Sequence, residues 1–218
     1  MQSVMIAIPS YTGQVFMGTM RSVLACMVDL MQAGYRVRLH DESGGAEIAR
    51  AREDMVSAFL ASDYDHLVMV DADVCWQEGA IRRLISHKVD FVAGAYPRRE
   101  DHLSFPVQFD DKGAVVVDKA TGLLEARAVA AGFMALSRGA LKKMTQEYAS
   151  LKYRSSKAPE RDAWMLFGTL RDGDAVLSED LSFCKRWRDI GGKIYVDPGF
   201  VMGHAGLKLF TGQMGHYK

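Results

Sequence analysis

The sequence predicts an α/β fold in which a mostly parallel central sheet is flanked by helices, with a small antiparallel portion toward the C-terminal half. In the first half, short β-rich runs alternate with longer amphipathic runs, and this pattern builds a parallel sheet covered by helices. The second half holds shorter, closely spaced β-like runs, which favour antiparallel pairing. With 218 residues, 49% of them hydrophobic and 25% charged, the chain suits one globular domain.

The first half divides into strands and helices by hydrophobic spacing and by Gly and Pro breaks. The run at 66–70 is apolar at nearly every position, which predicts a strand buried on both faces. Apolar residues recur at helical spacing in the longer runs, and Gly34 ends the first of them. We predict strands at residues 4–8, 35–40, 66–70 and 91–95, and helices at residues 16–31, 46–61 and 81–86.

The second half begins with less regular sequence. Residues 105–117 carry Asp-Asp-Lys-Gly between two β-like runs, which predicts a hairpin. A strand at 129–136 and a helix at 139–148 follow. Residues 151–174 are polar and irregular, so they are the candidate for a mobile loop. Ser178 is placed to cap a helix that reaches residue 190, and residues 193–196 form the last predicted strand.

Charge and cysteine content exclude several classes of protein. Lys plus Arg and Asp plus Glu are each 27, so the net charge indicates no attraction to nucleic acid or membranes. No run approaches the roughly 20 apolar residues that span a bilayer. Three distant cysteines without a CxxC pair suit a reducing compartment. We therefore expect no membrane-spanning segment and a cytoplasmic location.

An acidic pair follows the most apolar predicted strand. Asp71 and Asp73 come directly after residues 66–70, and open α/β sheets bind ligands at the carboxyl ends of their strands. Two neighbouring carboxylates repel each other unless a cation bridges them, and Mg²⁺ or Mn²⁺ suits such oxygen ligands. The alternative is that the two acids only end the strand and cap the next segment.

The segment Asp71-Ala72-Asp73 after a central apolar strand resembles the Asp-x-Asp motif of the GT-A nucleotide-sugar glycosyltransferases, particularly their family 2-like members. The resemblance implies a Rossmann-like GT-A fold for the single domain 1–218. Residues 1–100 would form the nucleotide-sugar-binding half and residues 101–218 the acceptor-binding half. It also implies that Asp71 contacts the donor ribose or the metal and that Asp73 ligates the metal.

Further segments match the same family in order. Pro9, Ser10 and Tyr11 resemble the loop that holds the nucleotide base, although a plain strand-to-helix turn explains them equally well. Arg50 is our predicted contact to the donor, since related enzymes carry a basic or amide side chain in this helix. His204, between glycines late in the chain, is the predicted third metal ligand, which favours Mn²⁺.

Other matching segments lie in the second half. Ser178-Glu179-Asp180 resembles the acidic pair at a helix start, which makes Asp180 the predicted catalytic base. Two acids beside a helix-capping serine also need no further explanation, because the helix dipole favours them there. Residues 131–136 resemble the small-residue strand beside the acceptor pocket. Trp164 is predicted either to stack on a sugar or to anchor its loop.

These residues predict a metal-dependent glycosyltransferase that moves a single sugar from a nucleotide-diphosphate sugar, UDP- or GDP-linked, to an acceptor hydroxyl with inversion. No Gln-x-x-Arg-Trp motif of processive synthases is present. The acceptor stays open between a saccharide, a protein, a lipid-linked intermediate and a modified DNA base. The alternatives are a haloacid-dehalogenase-like phosphohydrolase, a sugar nucleotidyltransferase and a catalytically silent nucleotide-sugar-binding module.

Overall fold

The computed structural model describes residues 1–45, 47–110, 113–155, 157–206 and 208–216. The predicted helix start at Ala46, and Asp111 and Lys112 of the predicted hairpin turn, lie outside the described residues. The strands are β1 (Ser3–Ser10), β2 (Arg36–Ser43), β3 (His66–Val70), β4 (Val74–Trp76), β5 (Phe91–Gly94), β6 (Val107–Gln108), β7 (Val116–Val117), β8 (Leu124–Ala126), β9 (Ala128–Val129), β10 (Phe133–Ser137), β11 (Lys152–Arg154), β12 (Asp162–Trp164), β13 (Arg171–Asp172), β14 (Ala175–Val176), β15 (Ile194–Asp197), β16 (Val201–His204) and β17 (Phe210–Gln213). The helices are α1 (Met17–Gln32), α2 (Ile48–Leu60), α3 (Ala80–Ser86), α4 (Arg138–Glu147) and α5 (Glu179–Asp189).

The central sheet confirms the predicted fold class. Its strand order is β2-β1-β3-β10-β5-β15-β8-β7. Strands β2, β1 and β3 pair in parallel, as do β5 and β15. Strands β10 and β8 run in the opposite direction to their neighbours. Smaller antiparallel sheets lie beside this sheet. Helices pack on both of its faces, so the architecture is α/β.

The apolar run of β3 explains why the sheet is covered on both sides. Leu67 and Met69 pack into one buried cluster, whereas Val68 and Val70 pack into the other. Helices α2, α4 and α5 contribute to the first cluster, and α1 and α3 contribute to the second. Alternation along a strand sends successive side chains to opposite faces, so this strand needs apolar residues throughout.

The predicted hairpin within residues 105–117 is wrong. Strand β6 pairs with β9, and β7 pairs with β8, so each half of the predicted hairpin pairs with a segment further along the chain. The turn lies after Asp118, whose Oδ1 accepts hydrogen bonds from the backbone N–H groups of Ala120 and Thr121. Gly122 follows with φ of +73°, where glycine is favoured.

Two other segments differ from their predictions. The predicted strand at 129–136 is divided, because β9 ends at Val129 and β10 begins at Phe133. Residues 151–174 are not an irregular loop: β11 and β12 form an antiparallel pair, and Leu166 and Phe167 after it are fully buried. Those buried side chains fix the segment on the core.

Strands β4 and β16 are absent from the sequence prediction. They pair in antiparallel orientation, with His204 opposite Val74. The backbone N–H of Ala205 also donates to the carbonyl of Asp73, at 2.7 Å. This pairing places His204, which is far from Asp71 and Asp73 in sequence, next to Asp73. Within the described part of the chain, no helix combines the length and apolarity that crossing a bilayer requires.

Candidate active site

A cleft of about 390 Å³ opens at the carboxyl ends of β1 and β3. The end of β1 and the loop after it supply Pro9, Ser10 and Tyr11, and the segment after β3 supplies Asp71 and Asp73. The remaining lining residues come from the same two segments and from the starts of α2 and α5: Thr12, Gln14, Ala72, Ile48, Arg52 and Glu179. This volume lies within the range of small-molecule sites.

Arg52 lies at the base of the cleft, between two carboxylates. Its Nη2 is 2.9 Å from Oδ1 of Asp71, and its Nη1 is 2.5 Å from Oε1 of Glu179. The side chain is only 4% exposed. Burial alone lowers the pKa of Arg52, but the charges of Asp71 and Glu179 outweigh that effect and raise it above the usual value. Arg52 is therefore a permanent cation that joins α2, β3 and α5.

Asp71 is enclosed on its other side by Gly132 and Tyr96. A side chain at Gly132 would collide with Oδ2 of Asp71 and with the Tyr96 hydroxyl. The backbone N–H of Asp71 donates to the carbonyl of Gly132 at 2.9 Å. Burial, and then the charge of Asp71, raise the pKa of Tyr96, so its phenol stays protonated. Because Gly132 has no side chain, the Asp71 carboxylate and the neutral Tyr96 phenol both fit beside it.

Asp73 faces two side chains from other parts of the chain. Arg99 forms an ion pair with its Oδ2. His204 lies on the other side, with its Nε2 3.6 Å from Oδ1. The second ring nitrogen of His204, Nδ1, is 3.0 Å from the carbonyl oxygen of Pro97. Because a carbonyl only accepts, we assign the ring proton to Nδ1 and a lone pair to Nε2.

The environment of His204 supports a neutral ring. Burial lowers its pKa, and the positive charge of Arg99 lowers it further. Tyr96 packs edge-on against it, with ring centroids 5.1 Å apart. A neutral imidazole whose Nδ1–H is bound by a backbone carbonyl is the usual form of a metal-ligating histidine.

Asp73 and His204 fit a divalent cation, whereas Asp71 is engaged by Arg52. A carboxylate oxygen and an imidazole lone pair face each other without a proton between them, and a cation would relieve that repulsion. Oδ1 of Asp71 instead accepts a hydrogen bond from Arg52, and Oδ2 lies so close to Gly132 that a Cβ at that position would be 2.5 Å from it. Among the described residues, no group of three or more His, Cys, Asp or Glu side chains is arranged to hold a metal. The structure thus brings two of the three predicted ligands together.

The two acids at the start of α5, Glu179 and Asp180, have different surroundings. Glu179 lines the cleft and pairs with Arg52. Asp180 is half-buried, and its Oδ1 accepts hydrogen bonds from the Ser178 hydroxyl and the backbone N–H of Leu181. Asp180 follows Glu179 directly, and its charge adds to the rise in the pKa of Tyr96. Ser178 does not cap the helix backbone through its side chain, contrary to the prediction.

Other predicted residues have different outcomes. Pro9, Ser10 and Tyr11 line the cleft as predicted, and Tyr11 is 68% exposed. Arg50 does not line it: its guanidinium lies over the ring of Tyr153, 4.7 Å from the centroid. Arg52, two residues later, occupies the place expected of Arg50. The reason is the helix period, which turns Arg50 to the surface and Arg52 to the core.

Sequence reasoning preferred Arg50 to Arg52 as the donor contact, although the spacing of Arg52 carried a signal. Arg52 lies four residues before Val56 and seven before Phe59, on the apolar face of the same helix. A charge on a core-facing position must find partners, so this arginine could have been assigned to the acids. Tyr96 and the cleft-facing position of Glu179 carried no comparable signal, because they depend on distant contacts.

No protein-family model matches the sequence, and no curated protein matches it. Solved structures that resemble the chain include S. aureus TarS 1–349, which is 9% identical with a TM-score of 0.49. The similarity extends over 90% of this chain and 58% of that chain. Another structure of TarS 1–349, in complex with UDP-GlcNAc, is 10% identical with the same TM-score, and 90% of this chain covers 56% of it. The 4-diphosphocytidyl-2C-methyl-D-erythritol synthase of Anaerococcus prevotii is 12% identical with a TM-score of 0.44, and 89% of this chain covers 88% of it.

A glycosyltransferase involved in the glycosylation of the major capsid of PBCV-1 is also similar in structure, at 9% identity with a TM-score of 0.38, over 67% of this chain and 65% of that chain. This chain spans 58% of the TarS 1–349 structure. At identities of 9–12% and TM-scores below 0.5, these similarities decide neither an activity nor a substrate for this chain.

Proposed function

We propose that this chain transfers a single sugar from a nucleoside-diphosphate sugar to an acceptor hydroxyl. The observation that carries the proposal is the approach of His204 to Asp73, 3.6 Å apart, because Asp73 lines a cleft that also holds the permanent cation Arg52. A carboxylate and a neutral imidazole provide ligands for Mn²⁺ or Mg²⁺, and two protein ligands leave positions for phosphate oxygens. Resemblance to the GT-A motif agrees with this use of the site.

The loop after β1 orients the donor in this proposal. The Ser10 hydroxyl donates to the carbonyl of Gln14 at 2.8 Å, so it holds the loop closed. Tyr11 is exposed at the cleft, where its ring can stack on a base. The loop thus offers a fixed backbone with an aromatic surface, which suits a nucleoside.

Charge in the cleft stabilises the departure of the nucleoside diphosphate. Arg52 and Arg99 are both held beside the acidic pair, and preorganised cations stabilise negative charge that develops in a transition state. A divalent ion bound at Asp73 and His204 supplies Lewis-acid stabilisation of the same charge. Asp71 fixes Arg52 in this position.

Asp180 is the proposed base that removes the acceptor proton, with inversion at the anomeric carbon. Its Oδ1 is held in place by hydrogen bonds from the Ser178 hydroxyl and the Leu181 N–H. Glu179 faces the cleft but is neutralised by Arg52. A variant with Asp180→Asn should therefore lose turnover and keep donor binding, whereas Glu179→Gln should weaken donor binding through Arg52.

The decisive experiment is a thermal-shift screen of UDP, GDP, CDP, TDP and their sugars, each with and without Mn²⁺ or Mg²⁺. A ligand present at 100 times its dissociation constant stabilises the folded state by about 2.7 kcal/mol. We expect one nucleoside diphosphate to stabilise the protein only when metal is present, and this effect should disappear in Asp73→Asn. Indifference to every nucleotide would overturn the proposal.

A turnover assay separates the transferase from its rivals. Acceptor-dependent release of the nucleoside diphosphate supports sugar transfer. Release of inorganic phosphate from phosphate esters would instead indicate a phosphohydrolase, and metal-dependent binding without any turnover would indicate a silent binding module. A glycan or lipid acceptor panel then identifies the second substrate.

A further inference from the structure

Arg99 and His204 approach different oxygens of the Asp73 carboxylate. Nη2 of Arg99 forms an ion pair with Oδ2, whereas Nε2 of His204 is 3.6 Å from Oδ1. The carboxylate is thus shared between a permanent cation and a neutral imidazole. A divalent ion held by Asp73 and His204 would have to share the same negative charge with the guanidinium, and like charges repel.

The positions of Asp73 and His204 do not themselves oppose an ion. The 3.6 Å between Oδ1 and Nε2 is shorter than two metal–ligand distances of about 2.1 Å each. Both atoms can therefore reach one ion from where they lie. The positive charge of Arg99 at the second oxygen is what opposes the ion.

The side chain of Arg99 can leave Asp73 at little cost. It is 42% exposed and Asp73 is 26% exposed, and ion pairs with this degree of exposure contribute little to stability. Its aliphatic stem runs past Gly206, where a Cβ would lie 3.3 Å from Cδ and 3.4 Å from Nε. The absence of a side chain at Gly206 therefore leaves room on that side of the guanidinium.

The donor proposed for the cleft offers Arg99 another partner. Asp73 lines the cleft, so Arg99 is paired with a residue of the cleft wall. A guanidinium binds phosphate oxygens through two parallel N–H donors. A nucleoside diphosphate that enters with the ion would thus supply negative oxygens in place of the carboxylate oxygen that Arg99 gives up.

We propose that Arg99 is the resident counter-ion of Asp73, that a divalent cation displaces it, and that the released guanidinium then binds the donor diphosphate. This inference rests on the proposed function, because it takes Asp73 and His204 as the residues that hold the ion. An ion that binds alone displaces Arg99 without giving it a new partner, whereas an ion that binds with the diphosphate satisfies both cations. Metal and donor therefore bind cooperatively, and the ion alone binds weakly.

Mn²⁺ binding to the nucleotide-free protein tests the displacement, and the electron paramagnetic resonance signal of the free ion measures it. We expect Arg99→Gln to bind Mn²⁺ about tenfold more tightly than the wild type, and adding Asp73→Asn should abolish this gain. Arg98→Gln is the matched control, because Arg98 is exposed and lines a separate pocket with Leu103 and Leu209. Equal Mn²⁺ affinity in the wild type and Arg99→Gln, or an equal gain in Arg98→Gln, would overturn the proposal.

Titration with UDP, GDP, CDP and TDP at saturating Mn²⁺ tests the second step. Here Arg99→Gln should bind the preferred nucleotide about tenfold more weakly than the wild type, because a charge-assisted contact is lost. One substitution then strengthens metal binding and weakens nucleotide binding, which general damage to the site does not produce. Absence of nucleotide binding, unchanged nucleotide affinity in Arg99→Gln, or wild-type binding that needs Arg99 but no Mn²⁺ would overturn the proposal.

Loss of the exchange is distinguishable from loss of the transferase function. The Mn²⁺ measurement uses neither nucleotide nor acceptor, so displacement of Arg99 is observable in a protein that transfers no sugar. Metal-dependent stabilisation by a nucleotide, together with equal Mn²⁺ affinities of the wild type and Arg99→Gln, would keep the transferase and remove the exchange. An unchanged circular-dichroism spectrum shows that Arg99→Gln is folded.

Discussion

Arg52 and Asp71 form a buried ion pair across 19 residues of sequence, with Nη2 2.9 Å from Oδ1. Glu179 binds the same guanidinium from a third element. One side chain thereby joins the helix after β2, the end of β3 and the start of α5. The position of Asp71, and through it the entrance to the cleft, depends on this single cation.

Replacing Arg52 by Met should destabilise the protein by about 3–5 kcal/mol, because it leaves two partly buried carboxylates without their partner. Urea unfolding measures the change. The double variant Arg52→Met with Glu179→Gln should recover part of the loss, since one unpaired charge is removed. The control is Arg50→Met, whose side chain is exposed over Tyr153; it should cost less than about 1 kcal/mol. Equal costs for both arginines would contradict the role of Arg52.

Gly132 should tolerate no side chain. In Gly132→Ala the new methyl group would lie 2.5 Å from Oδ2 of Asp71 and would collide with the Tyr96 hydroxyl, so Asp71 must move. We expect a loss of about 1–3 kcal/mol in stability, as for other overpacked sites, together with weaker nucleotide binding. Gly139→Ala is the matched control: its nearest contact would be 3.5 Å away, and alanine favours the helix. Normal nucleotide binding by Gly132→Ala would refute the argument.

The sequence specified the sheet more completely than the site. Residues 66–70 form β3 as predicted, because an unbroken apolar run has few alternatives to a buried strand. The approach of His204 to Asp73 depends on the pairing of β16 with β4, which joins short strands far apart in sequence. A local hydrophobic pattern does not show which distant strands will pair, so it could not predict that contact. Arg52 was ranked behind Arg50 for a different reason, since a charge in an amphipathic helix is usually solvated.

Replacing His204 by Ala should weaken metal-dependent nucleotide binding by tenfold or more, since one of two ligands that face each other is removed. Stability without metal should also fall, by about 0.5–3 kcal/mol, because the side chain is 17% exposed and packs against Tyr96. Calorimetric titration of Mn²⁺ in the presence of the nucleoside diphosphate measures the effect. His102→Ala serves as the control, since His102 is largely exposed and its ion-pair partner is Glu100. Unchanged Mn²⁺ affinity in His204→Ala would remove His204 from the metal site.

Asp197 should make stability depend on pH in the acid range. Burial alone raises its pKa, but hydrogen bonds from Arg83, His87 and the Gly199 N–H outweigh burial and lower it. A carboxyl group with a lowered folded pKa stabilises the protein above its unfolded pKa of about 3.9, and that contribution is lost as the pH falls through the folded value. Asp197→Asn should therefore cost about 1–3 kcal/mol at pH 7.

The difference between wild type and Asp197→Asn should shrink as the pH falls below about 4. Urea unfolding of both proteins between pH 7 and pH 3 gives the curve. Asp63→Asn is the control, because Asp63 pairs with Arg36 on the surface and such pairs contribute little. A difference that stays constant with pH would show that Asp197 acts by packing and not by charge.

Trp164 should anchor its segment to the core. Its ring packs against the cluster formed with α2, α4 and α5, and Lys152 lies over it at 5.7 Å. Its Nε1 is buried and finds no hydrogen-bond partner among the described residues. Trp164→Ala should therefore destabilise by about 3–5 kcal/mol, whereas Trp164→Phe should cost much less, since it also removes an unsatisfied N–H. Because the side chain is directed to the core, nucleotide-sugar affinity of the folded Trp164→Phe protein should equal that of the wild type, and a selective loss of that affinity would return Trp164 to the sugar site.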